Sequence, residues 1–195
     1  MATATKFVFN SHPLQLGKIT FSQPQEDDFP ELQFKYADFG HVYKNTTDYV
    51  RQVLDSCQLQ HNHKWAVVDV KVTQIFPGKA PCLPGWHCDT LIDPYDVRRE
   101  EIHHLYVTGG ASLTEFISSP VELEVDSELQ HQKLLHSFRK QLETLEYGVV
   151  KVPSCRVVTY GRFDFHRGSL GLFSEKRLLI RVTETDVVAP RNQPF

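Results

Sequence analysis

The sequence predicts a mainly β fold with supporting helices: a sandwich or jelly roll (double-stranded β-helix, cupin-like) in one domain. Three observations carry this. Apolar and polar residues alternate with period two in several short segments, as in half-buried antiparallel strands. Helical spacing of apolar residues holds over only two stretches. Glycine and proline mark many of the breaks between segments. Two helices against seven to nine short strands fit a sandwich or jelly roll. A chain of 195 residues suits a single domain with a sizeable core. Residues 1–64 read as N-terminal strands with a helix, and 65–185 as the core.

In chain order, Lys6-Phe7-Val8-Phe9 reads as a strand, closed by Asn10-Ser11-His12-Pro13. A second strand spans 17–21. Residues 22–31, with two prolines and Glu26-Asp27-Asp28, read as a solvated loop. Thr46-Thr47-Asp48 opens a helix, with threonine to cap its free N–H groups and aspartate in its first turn. Tyr49, Val50, Val53, Leu54 and Cys57 give that helix an apolar face to pack on a sheet. From Trp65 to Phe76 the period changes. Ala66, Val68, Val70 and Val72 form one face, and Val67, Asp69, Lys71 and Thr73 the other. A Pro/Gly-rich loop covers 77–85, and 93–101 reads as a charged surface loop. Strands follow at 104–108, 114–117 and 121–125. The longest helical pattern runs over 127–146, with Leu134, Phe138, Leu142 and Leu145 on one side and Gly148 as its stop. Strands at 149–152, 156–160 and 177–183 close the chain.

Composition narrows the classes of function. A net charge of −3 and a pI near 6.4 give no general nucleic-acid or membrane surface. No apolar run approaches membrane-spanning length, and the N-terminus does not read as a signal peptide. Cys57, Cys82, Cys88 and Cys155 lack the spacing of a disulfide framework. A reduced, cytoplasmic setting is therefore expected.

The chemistry centres on Pro84-Gly85-Trp86-His87-Cys88-Asp89-Thr90. On an extended strand alternate side chains leave from one face, so His87 and Asp89 can address one divalent metal. A His-x-Asp pair alone occurs by chance about once in a chain this long and is otherwise an exposed turn. A second segment raises its weight. His166 follows a strand, and ten residues later comes Arg177, sharing a strand face with Leu179, Arg181 and Thr183. Arginine there offers a planar fork suited to a carboxylate.

His87-x-Asp89, a distant His166 and an arginine about ten residues on resemble the 2-oxoglutarate/iron(II)-dependent dioxygenases, and the tail is similar to small bacterial and phage-encoded members. The likeness covers roughly residues 65–185. It implies that His87, Asp89 and His166 hold Fe(II), leaving one face of an octahedron open for 2-oxoglutarate and O2. It further implies succinate and CO2 as products and oxidation of a substrate C–H bond. Arg177 is expected to bind the distal carboxylate of 2-oxoglutarate, helped by a hydroxyl such as Tyr106 or Thr114. Arg181 faces the same way and is its rival.

Other readings stand beside this. A cupin-like metalloprotein, whether isomerase, lyase or binding module, needs the three ligands but no arginine–2-oxoglutarate pair. A structural protein needs neither. Cys82, His87 and Cys88 offer a zinc set at a spacing unusual for zinc. One of His103 and His104 can face the interior. Asp164 is a ligand, a supporting group or a solvated loop residue. Arg98-Arg99 reads as a solvated pair that, with loop 77–101, could touch an anionic substrate. Arg162, Arg167 and Arg181 favour a small anionic substrate over an apolar one. Oligomeric state is not encoded in any of these features.

Overall fold

The computed structural model describes residues 5–82, 85–89, 100–126, 129 and 131–192. Its strands are β1 (Thr5–Phe9), β2 (Gln15–Thr20), β3 (Phe34–Asp38), β4 (Trp65–Ile75), β5 (Ile102–Val107), β6 (Thr114–Ile117), β7 (Val121–Val125), β8 (Val149–Val152), β9 (Arg156–Gly161), β10 (His166–Gly168) and β11 (Glu175–Thr185). The helices are α1 (Phe39–Lys44), α2 (Asp48–Ser56) and α3 (His131–Leu142). Arg98-Arg99, residues 93–99, Pro84, and the proposed start of the long helix at 127, 128 and 130 lie outside the described residues.

β4 and β11 form the spine. They pair antiparallel along their whole length, from Glu175 opposite Ile75 to Thr185 opposite Trp65. Around them a six-stranded sheet runs in the order β2-β9-β5-β11-β4-β3. A three-stranded sheet, β10-β6-β8, and a two-stranded ribbon, β1-β7, complete the framework. All pairings are antiparallel.

Strand alternation gives the large sheet two different faces. Val68, Val70, Leu178, Ile180 and Val182 point to one side and bury against Val42 of α1 and Tyr49, Val50, Val53 and Leu54 of α2. Burial of each such side chain contributes about 1.5–3 kcal/mol. Thr47 caps α2 by accepting the Val50 N–H at 3.4 Å, and Asp48 occupies its first turn, as the sequence predicts. On the other side Leu105, Val107, Val158 and Tyr160 meet Phe116 and Val152 of the small sheet. The third cluster packs α3, through Leu134, Phe138 and Leu142, over Phe9, Leu123 and Phe165.

The mixed face of β4 does not meet solvent in the middle of the strand. Asp69 is only 9% exposed and looks between the two sheets. The third helix is shorter than the apolar pattern, ending at Leu142 and leaving Leu145 exposed. Gly148 is therefore not its cap. Its carbonyl accepts the Ser118 N–H at 2.9 Å, and a Cβ there would stand 2.6 Å from Ser118 Oγ. Glu101, expected in a surface loop, is 2% exposed and accepts the Thr185 hydroxyl at 2.6 Å. β3 and α1 have no counterpart in the sequence reading. No helix among the described residues is long and apolar enough to cross a membrane.

Candidate metal centre

His87 lies beyond the edge of the small sheet and bridges to His166 at the start of β10. The two residues exchange main-chain hydrogen bonds, His87 N–H to His166 O at 3.1 Å and His166 N–H to His87 O at 2.9 Å. This places the imidazoles side by side, centroids 4.5 Å apart. Asp89, two residues on, points the same way, and His166 Nε2 stands 3.4 Å from Asp89 Oδ2. One ligand atom from each of His87, Asp89 and His166 lies within 4.8 Å of the others. Right-angled ligands at about 2.1 Å stand about 3 Å apart, so a small inward movement closes the set on a divalent ion.

Hydrogen bonds fix the orientation of both rings. His87 Nδ1 lies 3.1 Å from the Gly85 carbonyl, and His166 Nδ1 lies 3.0 Å from the Asp164 carbonyl. A carbonyl only accepts, so each Nδ1 carries the proton and each Nε2 keeps its lone pair, the usual support of a metal-bound histidine. Burial, and then the neighbouring His166, lowers the His87 pKa to about 4, so its neutral form persists. Burial pushes the Asp89 carboxyl up, but Arg181, then His166, outweigh it and hold the group well below the usual range. Tyr160 donates to Asp89 Oδ2 at 2.6 Å, and Arg181 Nη1 lies 2.5 Å from Asp89 Oδ1. Two imidazole nitrogens and one oriented carboxylate suit iron(II) and related divalent ions.

The ligands open on a cavity of about 190 Å³. Its wall includes Arg177, Arg181, Thr114, Leu105, Leu179 and Tyr160. The two arginines differ sharply. Arg181 is consumed by two carboxylates, Asp89 and Asp69, with Nη2 2.6 Å from Asp69 Oδ2. Arg177 is 5% exposed and forms no ion pair among the described residues; Nη2 reaches Thr114 Oγ1 at 3.5 Å, and Nε has no partner. Burial lowers its pKa from the ordinary value. Nearby Glu175 is turned away, accepting N–H groups of Gly110 and Ala111 at 3.2 and 2.7 Å. A Cβ on Gly109, at φ +86°, would collide with that carboxylate at 2.5 Å.

The other candidates separate by strand phase. Tyr106 pairs opposite Ile180, on the far face of the sheet from Arg177. Its hydroxyl meets that of Tyr49 at 2.5 Å beneath the helices, so it cannot assist at this cavity. His104 also faces that side, binding Thr159 Oγ1 and Glu184 Oε1 at 2.9 and 3.0 Å. His103 faces inward, its ring tilted against Tyr160 at 5.0 Å between centroids, with Nδ1 2.9 Å from Thr183 Oγ1 and Nε2 without a partner. Cys88 points into the α3 cluster and burial pushes its thiol well up, which removes it from a zinc set with His87. The Asp164 side chain closes its own turn on the Gly161 N–H at 2.7 Å and supports His166 only through its carbonyl. Arg167 is held by Glu115 and lies over Trp86, while Arg162 lies over Phe163; neither lines the cavity.

Asp69 and Tyr160 are supporting residues that the sequence reading leaves out. A carboxylate inside a run of β-branched residues was the available signal for Asp69. No protein-family model matches the chain, and no curated protein matches it.

Proposed function

We propose that this chain is an iron(II)- and 2-oxoglutarate-dependent dioxygenase on a jelly-roll scaffold. One observation carries the reading beyond metal binding: the buried Arg177, with an unpartnered Nε, on the wall of the cavity that the His87–Asp89–His166 set opens on. A buried guanidinium without a carboxylate is costly, and a ligand carboxylate would remove that cost. A five-carbon diacid that chelates a metal at one end and ends in a carboxylate matches both features.

His87 Nε2, Asp89 Oδ2 and His166 Nε2 would hold iron. Bound there, iron(II) and 2-oxoglutarate supply oxidative decarboxylation to succinate and CO2, coupled through O2 to oxidation of a substrate C–H bond. The chain's own part is placement. Arg177 and the Thr114 hydroxyl bind the distal carboxylate. Arg181 and Tyr160 hold Asp89 in its ionised form and fix which oxygen faces the histidines. Leu105 and Leu179 keep the cavity wall apolar between the charged groups. Arg181 is a poorer carboxylate partner because Asp69 and Asp89 already neutralise it.

The test is succinate formation from 2-oxoglutarate by the protein with iron(II) and ascorbate, against Arg177→Ala. Turnover in the parent and its loss in the variant support the reading. Metal binding with no affinity for 2-oxoglutarate would select a cupin-like metalloprotein instead.

A further inference from the structure

Two lysines with no part in holding iron or 2-oxoglutarate line the same cavity, Lys35 and Lys71. Lys71 sits opposite Leu179 in the β4–β11 ladder, on the wall that carries Arg177 and Arg181. It is exposed and forms no ion pair among the described residues.

Lys35 arrives there through an irregularity in β3. Phe34 pairs with Val70, but Ala37 pairs with Val68, so three steps on β3 match two on β4. Strict alternation would put Phe34 and Ala37 on opposite faces. Instead both are buried in the cluster under the helices. The extra residue is taken up at Tyr36, whose φ of +49° lies in the left-handed region that side chains disfavour. The Tyr36 N–H donates to Asp69 Oδ1 at 2.7 Å. The other Asp69 oxygen holds Arg181, which holds Asp89. A bulge of this kind re-aims a side chain, and strained backbone persists where its surroundings over-determine it. Here it is anchored to the same carboxylate that steadies a metal ligand.

Charge at the cavity points to the class of ligand. The described lining holds the cations Lys35, Lys71, Arg177 and Arg181 and the carboxylates Asp69 and Asp89. A divalent metal and a dianionic cosubstrate cancel one another, so filling the site leaves the exposed Lys71 ammonium beside Lys35 on the cavity wall. On the oxygenase reading, we infer that Lys35 and Lys71 bind an oxyanion, carboxylate or phosphate, on the substrate to be oxidised. The lysines replace Arg162, Arg167 and Arg181 as the basis for an anionic substrate.

The experiment uses protein loaded with manganese(II) and 2-oxoglutarate, whose paramagnetism broadens the fluorine resonance of a probe bound beside it. The probes are 4-fluorobenzoate and 4-fluorophenyl phosphate, with neutral 4-fluorobenzamide as control. At least one anion should broaden at a concentration about tenfold or more below the amide, and the better of the two anions names the group. Lys35→Gln/Lys71→Gln should bring it to the level of the amide, and Lys71→Glu alone should weaken it further than Lys71→Gln. Equal broadening by amide and anions, or an unchanged anion preference in the double variant, overturns the proposal. Absence of 2-oxoglutarate binding overturns the oxygenase reading instead. The same comparison of parent and double variant, made with manganese alone, then still decides the role of the lysines.

Discussion

Arg181 stands between two carboxylates, with Nη1 2.5 Å from Asp89 and Nη2 2.6 Å from Asp69. Only Asp89 belongs to the metal set. Arg181→Ala leaves two largely buried carboxylates without their cation. It should cost about 3–5 kcal/mol of stability and lower metal affinity on the order of tenfold to a hundredfold. Asp69→Asn keeps the Arg181–Asp89 contact and should lose less than tenfold in metal affinity. Denaturant unfolding and equilibrium manganese binding measure both. An Arg181→Ala protein as stable as the parent would show that the bridge is not needed.

His87→Ala, Asp89→Ala and His166→Ala should each abolish iron binding in a folded protein, because none of the three lies in an apolar cluster. Cys88→Ala should leave metal affinity unchanged. Loss of its buried thiol from the α3 cluster should cost roughly 1 kcal/mol of stability. Calorimetric titration with metal separates the groups, and one ligand variant binding like the parent would remove that residue from the set.

Arg177 predicts opposite effects on stability and on binding. Arg177→Ala should weaken 2-oxoglutarate binding about thirtyfold or more while sparing iron, since a lost buried charge partner costs about 2–5 kcal/mol. Arg177→Met fills similar space without a buried charge. It should raise the melting temperature of the protein without 2-oxoglutarate, and it should forfeit the further rise that the cosubstrate gives the parent. The measurement is thermal unfolding of iron-loaded protein, kept anaerobic, with and without 2-oxoglutarate. A parallel loss from Arg181→Ala, with Arg177 variants unaffected, would shift the carboxylate site by four residues, roughly 13 Å along the strand.

His103 gives a pH dependence. Burial lowers its pKa from 6.5 to about 4. As pH falls below 6.5 the unfolded chain takes up a proton that the native imidazole refuses until about 4, so the unfolded state gains. Stability should therefore fall as pH drops between these limits, by up to about 1.4 kcal/mol per unit for this residue. His87, lowered to about 4 as well, adds a slope of the same sign. His103→Gln should remove about half of the combined slope in metal-free protein. Urea unfolding at a series of pH values checks it, and an unchanged slope refutes it.

The grouping of His87, Asp89 and His166 is legible in the sequence because its geometry is local. Alternation brings His87 and Asp89 to one side, and a strand start presents His166. Arg177 is legible as a position, but its difference from Arg181 is not. That difference rests on Asp69, which arrives from β4 and takes Arg181 out of competition. Tyr106 misleads because β5 is covered on both faces: from His103 to Val107 every residue is buried, so alternation gives no phase. Gly148 resembles a helix stop but serves close approach to the turn at Ser118. The β3 bulge leaves no local mark, since its positive φ falls on tyrosine and its anchor lies on a different strand.

The bridge between His87 and His166 has a topological consequence. These residues lie far apart in the chain, and only two main-chain hydrogen bonds join them there. An ion held by both side chains would fasten that long loop as a removable cross-link. Closing a loop of this length covalently is worth about 4 kcal/mol in chain entropy. Part of that gain would go to the metal-loaded protein and would vanish with a chelator. Amide exchange at His87 and His166 should therefore slow on metal loading far more than at Val182, deep in the large sheet. The metal would thus govern how often that edge opens as well as what chemistry occurs beside it.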